Sequence, residues 1–365
     1  MVPSKKNKLT KERQDRFRGL ILGTAVGDSL GLPAEGISRR RIAEMFPGRW
    51  RHRLLFGKGM VSDDTDHTVF VSQSLLAFPD SPELFARRLS SCLRWWFLSL
   101  PAGIGWATLR SVLLLWAGFP PHKSGIFSAG NGPAMRSAPI GAFFDTDRAV
   151  RDKFICAGTR LTHTDPKALT GAKAVADLAA RSMVNPMQHR PDPKEFTDLL
   201  RRAAPGEDME WERLVGLVEQ ACMRELSVSA FAEMMGLSQG ISAYSYHSVP
   251  VAVYAWFRHF GDFEASLTSV LECGGDTDTV GAVAGALAGT VCGESGIPAD
   301  WIKGIWEWPR SVSVLRKIAD ELEKKNSGFS EERPVPYLRI GILPRNLFFL
   351  CVVLCHGFRR LLPPY

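Results

Sequence analysis

The chain lacks the cysteine spacings of disulfide-stapled and zinc-binding proteins. Its seven cysteines are odd in number, scattered over 365 residues and mostly set in apolar runs, and no C-x-x-C pair occurs. These features argue against a disulfide framework and against a zinc site. Cys351 and Cys355 fall in an apolar, helix-like stretch, one residue too far apart for a haem-attachment motif, so we interpret them as core residues.

Targeting and membrane-spanning patterns are also missing. The N-terminus is charged and polar, without the pattern of a signal peptide, so a reducing cytoplasm is the expected location. The apolar run around Leu347–Cys355 covers about nine to twelve residues, whereas a membrane-spanning helix needs roughly 20. We therefore expect no transmembrane segment and a buried C-terminal helix over about residues 343–361. A peripheral anchor, with Arg359 and Arg360 facing anionic lipid, is the alternative.

A strong excess of charge is absent too. The net charge is +7, with 45% apolar and 23% charged residues, which is typical of a soluble globular protein. Much of the positive charge lies at the two ends, and we interpret residues 1–10 as a solvated basic tail rather than a nucleic-acid arm. We expect one domain over residues 1–365, and a monomer.

Convincing β-strands are absent, because no sustained run alternates apolar and polar residues. Helix-period segments dominate instead, so the prediction is an all-α, single compact domain of many helices. The predicted helices cover residues 9–31, 82–98, 108–116, 168–183, 196–203, 210–223, 228–236, 248–260, 263–273 and 280–291. Segments 186–194 and 324–335 are predicted loops.

Two of these helices carry glycine at every fourth position. The two files are Gly19, Gly23, Gly27 and Gly31, and Gly281, Gly285 and Gly289. Glycine destabilises an isolated helix by about 1 kcal/mol per residue, so regular files indicate smooth ridges that another backbone approaches closely. Both files lie beside acidic residues, and we expect the helices that carry them to converge on a common site.

Two acidic clusters more than two hundred residues apart are the most informative feature of the chain. They are Ser62-Asp63-Asp64-Thr65 and Gly275-Asp276-Thr277-Asp278-Thr279. Adjacent carboxylates without basic neighbours repel one another, and a hard divalent cation relieves that repulsion by taking several oxygen ligands. If the fold brings the clusters together, they predict a site for one or two Mg²⁺ or Mn²⁺ ions.

Five blocks in fixed order resemble the ADP-ribosylglycohydrolase family, which includes dinitrogenase-reductase-activating glycohydrolases and ADP-ribosyl-acceptor hydrolases. The blocks are Gly23–Gly31 with Pro33–Glu35, Ser62–Thr65, Gly130–Arg136, Leu161–His163 and Gly274–Thr279. One block alone would be weak, whereas all five in family order, over about residues 17–292, are highly specific. The resemblance implies an all-helical globule with two Mg²⁺ or Mn²⁺ ions at the base of a central cleft.

The resemblance also implies roles for individual residues. The metal ligands would be Ser62, Asp63, Asp64, Asp276, Asp278 and Thr279. Asp278 would bridge the ions, and Glu35 would approach them from the opposite side and handle a proton or a water, so these two are the catalytic candidates. Many family members have threonine in place of Ser62, and either hydroxyl can ligate. Asp28 and Asp66 are candidates to hold a helix or a ligand without touching metal.

Three further segments would hold the nucleotide. Gly103 and Gly105 lie in a turn before a helix, whose free N–H groups suit a diphosphate. The loop that matches the family segment beside the distal ribose and phosphates contains Ser128, Gly130, Asn131 and Gly132. His163 matches a family histidine near the ligand, and we interpret Arg136 as structural. Ala129 replaces the aromatic residue that often precedes the first glycine, and residues 101–108 lack the acidic residue of some arginine-directed members.

No Ser/His/Asp or Cys/His nucleophile arrangement stands out in the sequence. The leading hypothesis is metal-dependent hydrolysis of the glycosidic bond between ADP-ribose and a modified protein side chain, arginine or serine. The expected partners are ADP-ribose and an ADP-ribosylated protein. The same site would also suit O-acyl-ADP-ribose or nucleic-acid-linked ADP-ribose. A non-catalytic ADP-ribose binder and a two-metal phosphoesterase that releases AMP remain alternatives.

Overall fold

Helices make up almost all of the regular structure. The structure is a computed structural model that describes residues 5–184, 190–204, 207–328 and 334–359, without the side chains of residues 5–10 and 359. The α-helices of this part are α1 (Lys5–Gly31), α2 (Arg39–Met45), α3 (Asp63–Ala77), α4 (Pro82–Phe97), α5 (Trp106–Trp116), α6 (Gly132–Met135), α7 (Ala138–Phe143), α8 (Arg148–Arg160), α9 (Pro166–Val184), α10 (Pro193–Arg201), α11 (Met209–Met223), α12 (Val228–Met234), α13 (Ser245–Arg258), α14 (Phe263–Leu271), α15 (Thr277–Cys292), α16 (Ala299–Gly304), α17 (Val312–Asn326) and α18 (Ile342–Arg359). The prediction of a mostly helical protein is confirmed.

One large core of buried apolar side chains extends from Phe17 to Val335, and a smaller cluster lies beneath α18. Every predicted helix is present to within a few residues, but α3, α8 and α17 were not predicted, and neither were the short helices α2, α6, α7 and α16. Residues 64–76 of α3 are buried on all sides, so that helix shows no polar face and no amphipathic period. Helices α8 and α17 do carry ordinary amphipathic patterns, which the sequence analysis overlooked.

The predicted loops and tail are shorter than expected. Helix α1 begins at Lys5, so residues 5–10 are helical rather than a tail, and residues 1–4 lie outside the described part. The loop predicted over 186–194 ends where α10 begins at Pro193. Helix α17 extends to Asn326, inside the loop predicted over 324–335. Residues 185–189 and 329–333 of these two loops are not among the described residues.

The two glycine files meet face to face. Helices α1 and α15 make the most extensive helix–helix contact in the described residues, and they run antiparallel. A methyl group on Gly19, Gly23 or Gly27 would overlap a carbonyl oxygen of Gly289, Gly285 or Gly281, respectively. The predicted close approach of two backbones is therefore confirmed. It places Asp28, near the end of α1, beside the start of α15.

A pair of two-residue strands joins the turn after Glu35 to the second acidic cluster. Strand β1 (Ile37–Ser38) pairs antiparallel with β2 (Gly274–Gly275), with Ile37 opposite Gly275. Gly275 has a φ of +84°, and a Cβ on it would overlap the backbone of Ile241. Strands this short carry no alternating pattern, and the sequence analysis therefore predicted none.

Helix α18 is buried on one face only. Ile342, Phe349 and Val352 are less than one tenth exposed. The exposed apolar residues of the other face are Leu343, Leu347, Leu354 and Phe358. Cys351 and Cys355 are exposed as well, so their interpretation as core residues is wrong.

The same helix bears on the membrane question. Residues Arg339–Phe358 are, among the described residues, the one stretch long and apolar enough to cross a membrane, with a mean hydropathy of 1.6 and 28% of it buried. Two polar residues of α18, Arg345 and Asn346, are buried against the rest of the protein. The peripheral anchor stays a prediction.

Candidate active site

The fold brings the two acidic clusters together. Asp64, in the first turn of α3, accepts a hydrogen bond of 3.3 Å from the hydroxyl of Thr279 in α15. A cavity of about 350 Å³ opens here, and its lining contains every predicted site residue except Asp64, which is only 1% exposed. Those lining residues are Glu35, Ser62, Asp63, Gly103, Gly105, Ser128, Gly130, Asn131, Gly132, His163, Asp276, Asp278 and Thr279.

Asp28 organises the first cluster without lining the cavity. Its carboxylate accepts hydrogen bonds from the backbone N–H of Ser62 at 2.9 Å and of Thr65 at 3.1 Å. The hydroxyl of Thr65 donates a third bond at 2.6 Å. These donors belong to the turn where α3 begins, so Asp28 helps to cap that helix. This confirms the prediction that Asp28 holds a helix.

The second cluster is held by its own set of contacts. Asp276 accepts a hydrogen bond of 2.6 Å from the side-chain amide of Asn131, a residue of the predicted nucleotide loop. Asp278 accepts a bond of 2.9 Å from the backbone N–H of Thr279. The hydroxyl of Thr277 donates to the carbonyl oxygen of Gly31 at 2.8 Å, which ties α15 to the end of α1.

Like charges are concentrated in this site. Burial raises the pKa of Asp63, Asp64 and Asp278 well above the usual carboxyl range, and repulsion by neighbouring carboxylates raises it further. Burial also raises the pKa of Asp28 to about 7, against the opposing effect of the hydrogen bonds from Thr65 and Ser62. The protein therefore holds several acids in a place where full ionisation is unfavourable.

The donor set fits a hard divalent cation. One carboxylate oxygen of Asp64, Oδ1, is buried without a hydrogen-bond partner, which is costly for an anion. Carboxylates with hydroxyls are the ligands that Mg²⁺ and Mn²⁺ prefer. Within the described residues, however, no three His, Cys, Asp or Glu side chains already stand in a ligating arrangement. The metal ions therefore stay a prediction.

The predicted nucleotide loop packs on His163. A Cβ on Gly130 or Gly132 would come within 3.0 or 3.1 Å of the imidazole ring, so a larger residue would require the ring to shift by a few tenths of an ångström. Burial lowers the pKa of His163 to about 3, with a smaller contribution from the charge of Arg136, so the ring is neutral at physiological pH. Its Nδ1 lies 2.8 Å from the hydroxyl of Thr162. The ring thus supports the loop as an uncharged platform.

Two further predictions concern residues outside the cavity. The guanidinium of Arg136 donates to the carbonyl oxygen of Gly158 at 3.0 Å and to the hydroxyl of Thr162 at 2.6 Å, which confirms its structural role. Asp66 was a candidate to hold a helix or a ligand. Its carboxylate forms an ion pair of 2.6 Å with Arg310 and accepts a bond of 2.7 Å from the Trp96 indole, so it anchors α3.

A family comparison agrees with this geometry. The family model described as ADP-ribosylglycohydrolase matches residues 9–330. The chain belongs to the ADP-ribosylglycohydrolase family. Most of the chain and the predicted site residues lie inside the match, whereas α18 lies beyond its end.

Individual relatives of this family support the assignment. An uncharacterised protein of Archaeoglobus fulgidus is 32% identical, over 85% of this chain and 96% of its own length. The ADP-ribosylhydrolase ARH3 of Gallus gallus is 27% identical, over 78% and 88%. The ADP-ribosyl-[dinitrogen reductase] glycohydrolase of Rhodospirillum rubrum is 26% identical, over 85% and 95%. A solved structure of an ADP-ribosylglycohydrolase-related protein complex superposes with a TM-score of 0.65 at 26% identity, covering 87% of this chain and 99% of that one.

Part of the cleft wall was not predicted from the sequence. Leu32, Ala102, Phe349 and Val353 line the same cavity as the acidic residues. Leu32 and Ala102 lie next to predicted blocks, and that proximity was the available signal. Phe349 and Val353 lie in an apolar run with no motif, so nothing in their spacing connects them with the site.

Proposed function

We propose that this member of the ADP-ribosylglycohydrolase family hydrolyses the bond between the anomeric carbon of ADP-ribose and a modified protein side chain, arginine or serine, with two Mg²⁺ or Mn²⁺ ions as cofactors. One observation carries the proposal. The two acidic clusters and the three predicted nucleotide segments line one cavity of about 350 Å³, although they are far apart along the chain. The names of the chicken and bacterial relatives, an ADP-ribosylhydrolase and an ADP-ribosyl-[dinitrogen reductase] glycohydrolase, support it.

The residues divide the work of binding. Ser62, Asp63 and Asp64 from one cluster and Asp276, Asp278 and Thr279 from the other would hold the ions. Once bound, the ions would act as Lewis acids that hold the ribose hydroxyls. The turn at Gly103 and Gly105 would bind the diphosphate through backbone N–H groups, as glycine-rich turns bind phosphate. The loop Ser128–Gly132 would lie beside the distal ribose and the phosphates.

The reaction adds water across the glycosidic bond. Positive charge develops at the anomeric carbon as that bond breaks, and the carboxylates around it, Asp278 among them, stabilise the charge. Glu35 accepts a proton from the attacking water, whose oxygen bonds to the anomeric carbon. The departing side-chain atom keeps the bonding electron pair and takes up the proton that Glu35 received from the water, so the carboxylate is restored and ADP-ribose is the second product.

The test is product analysis by mass spectrometry. Substrates carrying ADP-ribose on arginine, on serine and on a nucleic-acid end are incubated with the protein in Mg²⁺, in Mn²⁺ and in EDTA. The proposal predicts intact ADP-ribose from a protein-linked substrate, only with metal. Glu35→Gln should abolish it, whereas Glu44→Gln, a change of an exposed carboxylate, should not. Release of AMP would instead indicate a phosphoesterase, and tight ADP-ribose binding without turnover would indicate a binding protein.

A further inference from the structure

Helix α18 lies beyond the part of the chain that matches the family, yet it reaches the active site. The match ends at residue 330, and α18 covers Ile342–Arg359. Two of its side chains, Phe349 and Val353, line the cavity that contains the acidic clusters. On its inner face the helix packs in a small apolar cluster with Leu32 and Ala102, two other residues of the cavity wall.

The helix is fastened to the first acidic cluster by a buried ion pair. Arg345 and Glu307 are 2% and 0% exposed, and the guanidinium Nε lies 2.7 Å from a carboxylate oxygen of Glu307. Arg345 also donates to the carbonyl oxygen of Val61 at 2.6 Å, while Glu307 accepts from the N–H of Val61 at 3.3 Å. The Arg345–Glu307 pair therefore hydrogen-bonds to both the N–H and the carbonyl oxygen of Val61, the residue before Ser62.

Two more contacts reach other segments of the cleft. The buried side-chain amide of Asn346 donates to the carbonyl and hydroxyl oxygens of Ser99, both at 2.9 Å, where the chain enters the turn with Gly103 and Gly105. His356 Nε2 lies 3.1 Å from the carbonyl oxygen of Pro33. Because a carbonyl only accepts, the imidazole donates this bond. It holds the turn Leu32–Ala34, directly before Glu35.

We propose that α18 contributes both substrate-binding and positioning residues to the active site. Phe349 and Val353 contact the bound substrate, and Asn346 and His356 are positioning residues for the glycine turn and for Glu35. Phe349 and Val353 make this part of the cavity wall apolar, so it suits an uncharged part of the substrate. A charged group there would lose its hydration without gaining a hydrogen-bond partner. The contact of Phe349 and Val353 with substrate rests on the proposed function, whereas the positioning roles of Asn346 and His356 do not depend on it.

The wall is tested with Phe349→Ala and Val353→Ala. Loss of the apolar contact with the substrate should raise KM about tenfold while kcat stays near the wild-type value. Where the contact is with the ADP-ribose part of the substrate, the Kd of ADP-ribose should rise by about the same factor. The matched controls are Leu347→Ala and Leu354→Ala on the exposed face of the same helix, which should change neither constant. Unchanged KM in both wall variants, or equal effects in the controls, would overturn the proposal.

The positioning role needs a different readout. His356→Ala should lower kcat about tenfold with little change in KM, because the turn Leu32–Ala34 would no longer hold Glu35 in position. His356→Gln retains an N–H donor and should restore much of the rate. A general loss of stability would also lower the apparent kcat at unchanged KM, because it reduces the folded fraction, but it would lower the melting temperature as well. A rate loss that only followed a lowered melting temperature, or one that His356→Gln did not restore, would overturn this role.

Failure of the proposed function is recognised separately. If the wild-type protein neither hydrolyses any linkage nor binds ADP-ribose, the proposed function is wrong. Hydrogen exchange of the full chain then decides the positioning role by itself. Asn346→Ala should speed exchange of amides in residues 99–105 and leave α11 unchanged, and unaltered exchange in 99–105 would overturn the positioning role.

Discussion

Gly23 and Gly285 lie back to back where α1 meets α15, and a Cβ on either one would overlap the carbonyl oxygen of the other. The same relationship recurs one turn away between Gly27 and Gly281. These contacts set the distance between two helices whose adjoining ends carry Asp28 and Asp278. The glycine files therefore determine how closely the carboxylates of the two clusters approach one another.

Replacing Gly285 by alanine should destabilise the protein more than a helix propensity scale suggests. The new methyl group would meet backbone atoms of Gly23, which cannot rotate away, so we expect a loss of about 1–3 kcal/mol or more in the free energy of unfolding. Urea denaturation measures it. Gly216→Ala in α11 is the matched control, since a Cβ there meets open space and alanine favours a helix by about 1 kcal/mol. Equal effects at both glycines would contradict the close contact.

Replacing Asp64 by asparagine separates charge repulsion from metal binding. The change removes one negative charge from a buried group of carboxylates, so the metal-free variant should melt about 2 °C higher than the wild type in EDTA. Mn²⁺ should raise the melting temperature of the wild type, because it binds the folded state, and should raise that of the variant much less. Differential scanning calorimetry with and without Mn²⁺ gives both numbers.

The control for that experiment is Asp80→Asn, which changes an exposed carboxylate in the loop between α3 and α4. It should leave both the metal-free melting temperature and the response to Mn²⁺ unchanged. If Asp64→Asn responded to Mn²⁺ as strongly as the wild type does, Asp64 would not be a ligand.

His163 should make stability depend on pH in the acid range. Its folded pKa of about 3 lies below the value near 6.5 of an unfolded histidine, so the unfolded chain binds more protons between these limits. This contribution is fully present above pH 6.5 and is lost as the pH falls, by about 1.4 kcal/mol per pH unit. The buried carboxylates act in the opposite direction, because their raised pKa values favour the folded state as the pH falls.

A comparison with His163→Gln isolates that residue from the carboxylates. Urea denaturation at pH 5.5 and at pH 4.5 should show a difference between wild type and variant that changes by about 1.4 kcal/mol. A constant difference across this range would mean that His163 is protonated in the folded protein.

The sequence revealed those parts of the site that have a fixed spacing. The spacing of the glycine files predicted that two helices pack closely, and the resemblance to the family assigned Asp63 and Asp278 to one cleft. Phe349 and Val353 could not, because an apolar residue in an apolar helix looks the same whether it faces a core, a cavity or solvent. For the same reason Cys351 and Cys355 were misjudged as buried.

Burial also hid structure from the sequence. Helix α3 carries the first cluster, but because residues 64–76 are all buried it lacks the polar stripe by which helices are recognised. The pairing of Ile37 with Gly275 links Glu35 to the second cluster through only two residues per strand. Such short pairings depend on the tertiary fold and leave no pattern of their own.

Asp28 provides a test of whether a buried acid holds the site or binds the metal. It accepts three hydrogen bonds from Ser62 and Thr65, so asparagine, with one acceptor oxygen, should leave part of that set unpaired. If Asp28 only orients the ligands, Asp28→Asn should weaken Mn²⁺ binding by about 10- to 100-fold without abolishing it. Isothermal titration calorimetry with Mn²⁺ compares it directly with Asp64→Asn, which should weaken Mn²⁺ binding much more strongly. Equal losses of Mn²⁺ affinity in both variants would make Asp28 a metal ligand and would extend the first cluster to α1.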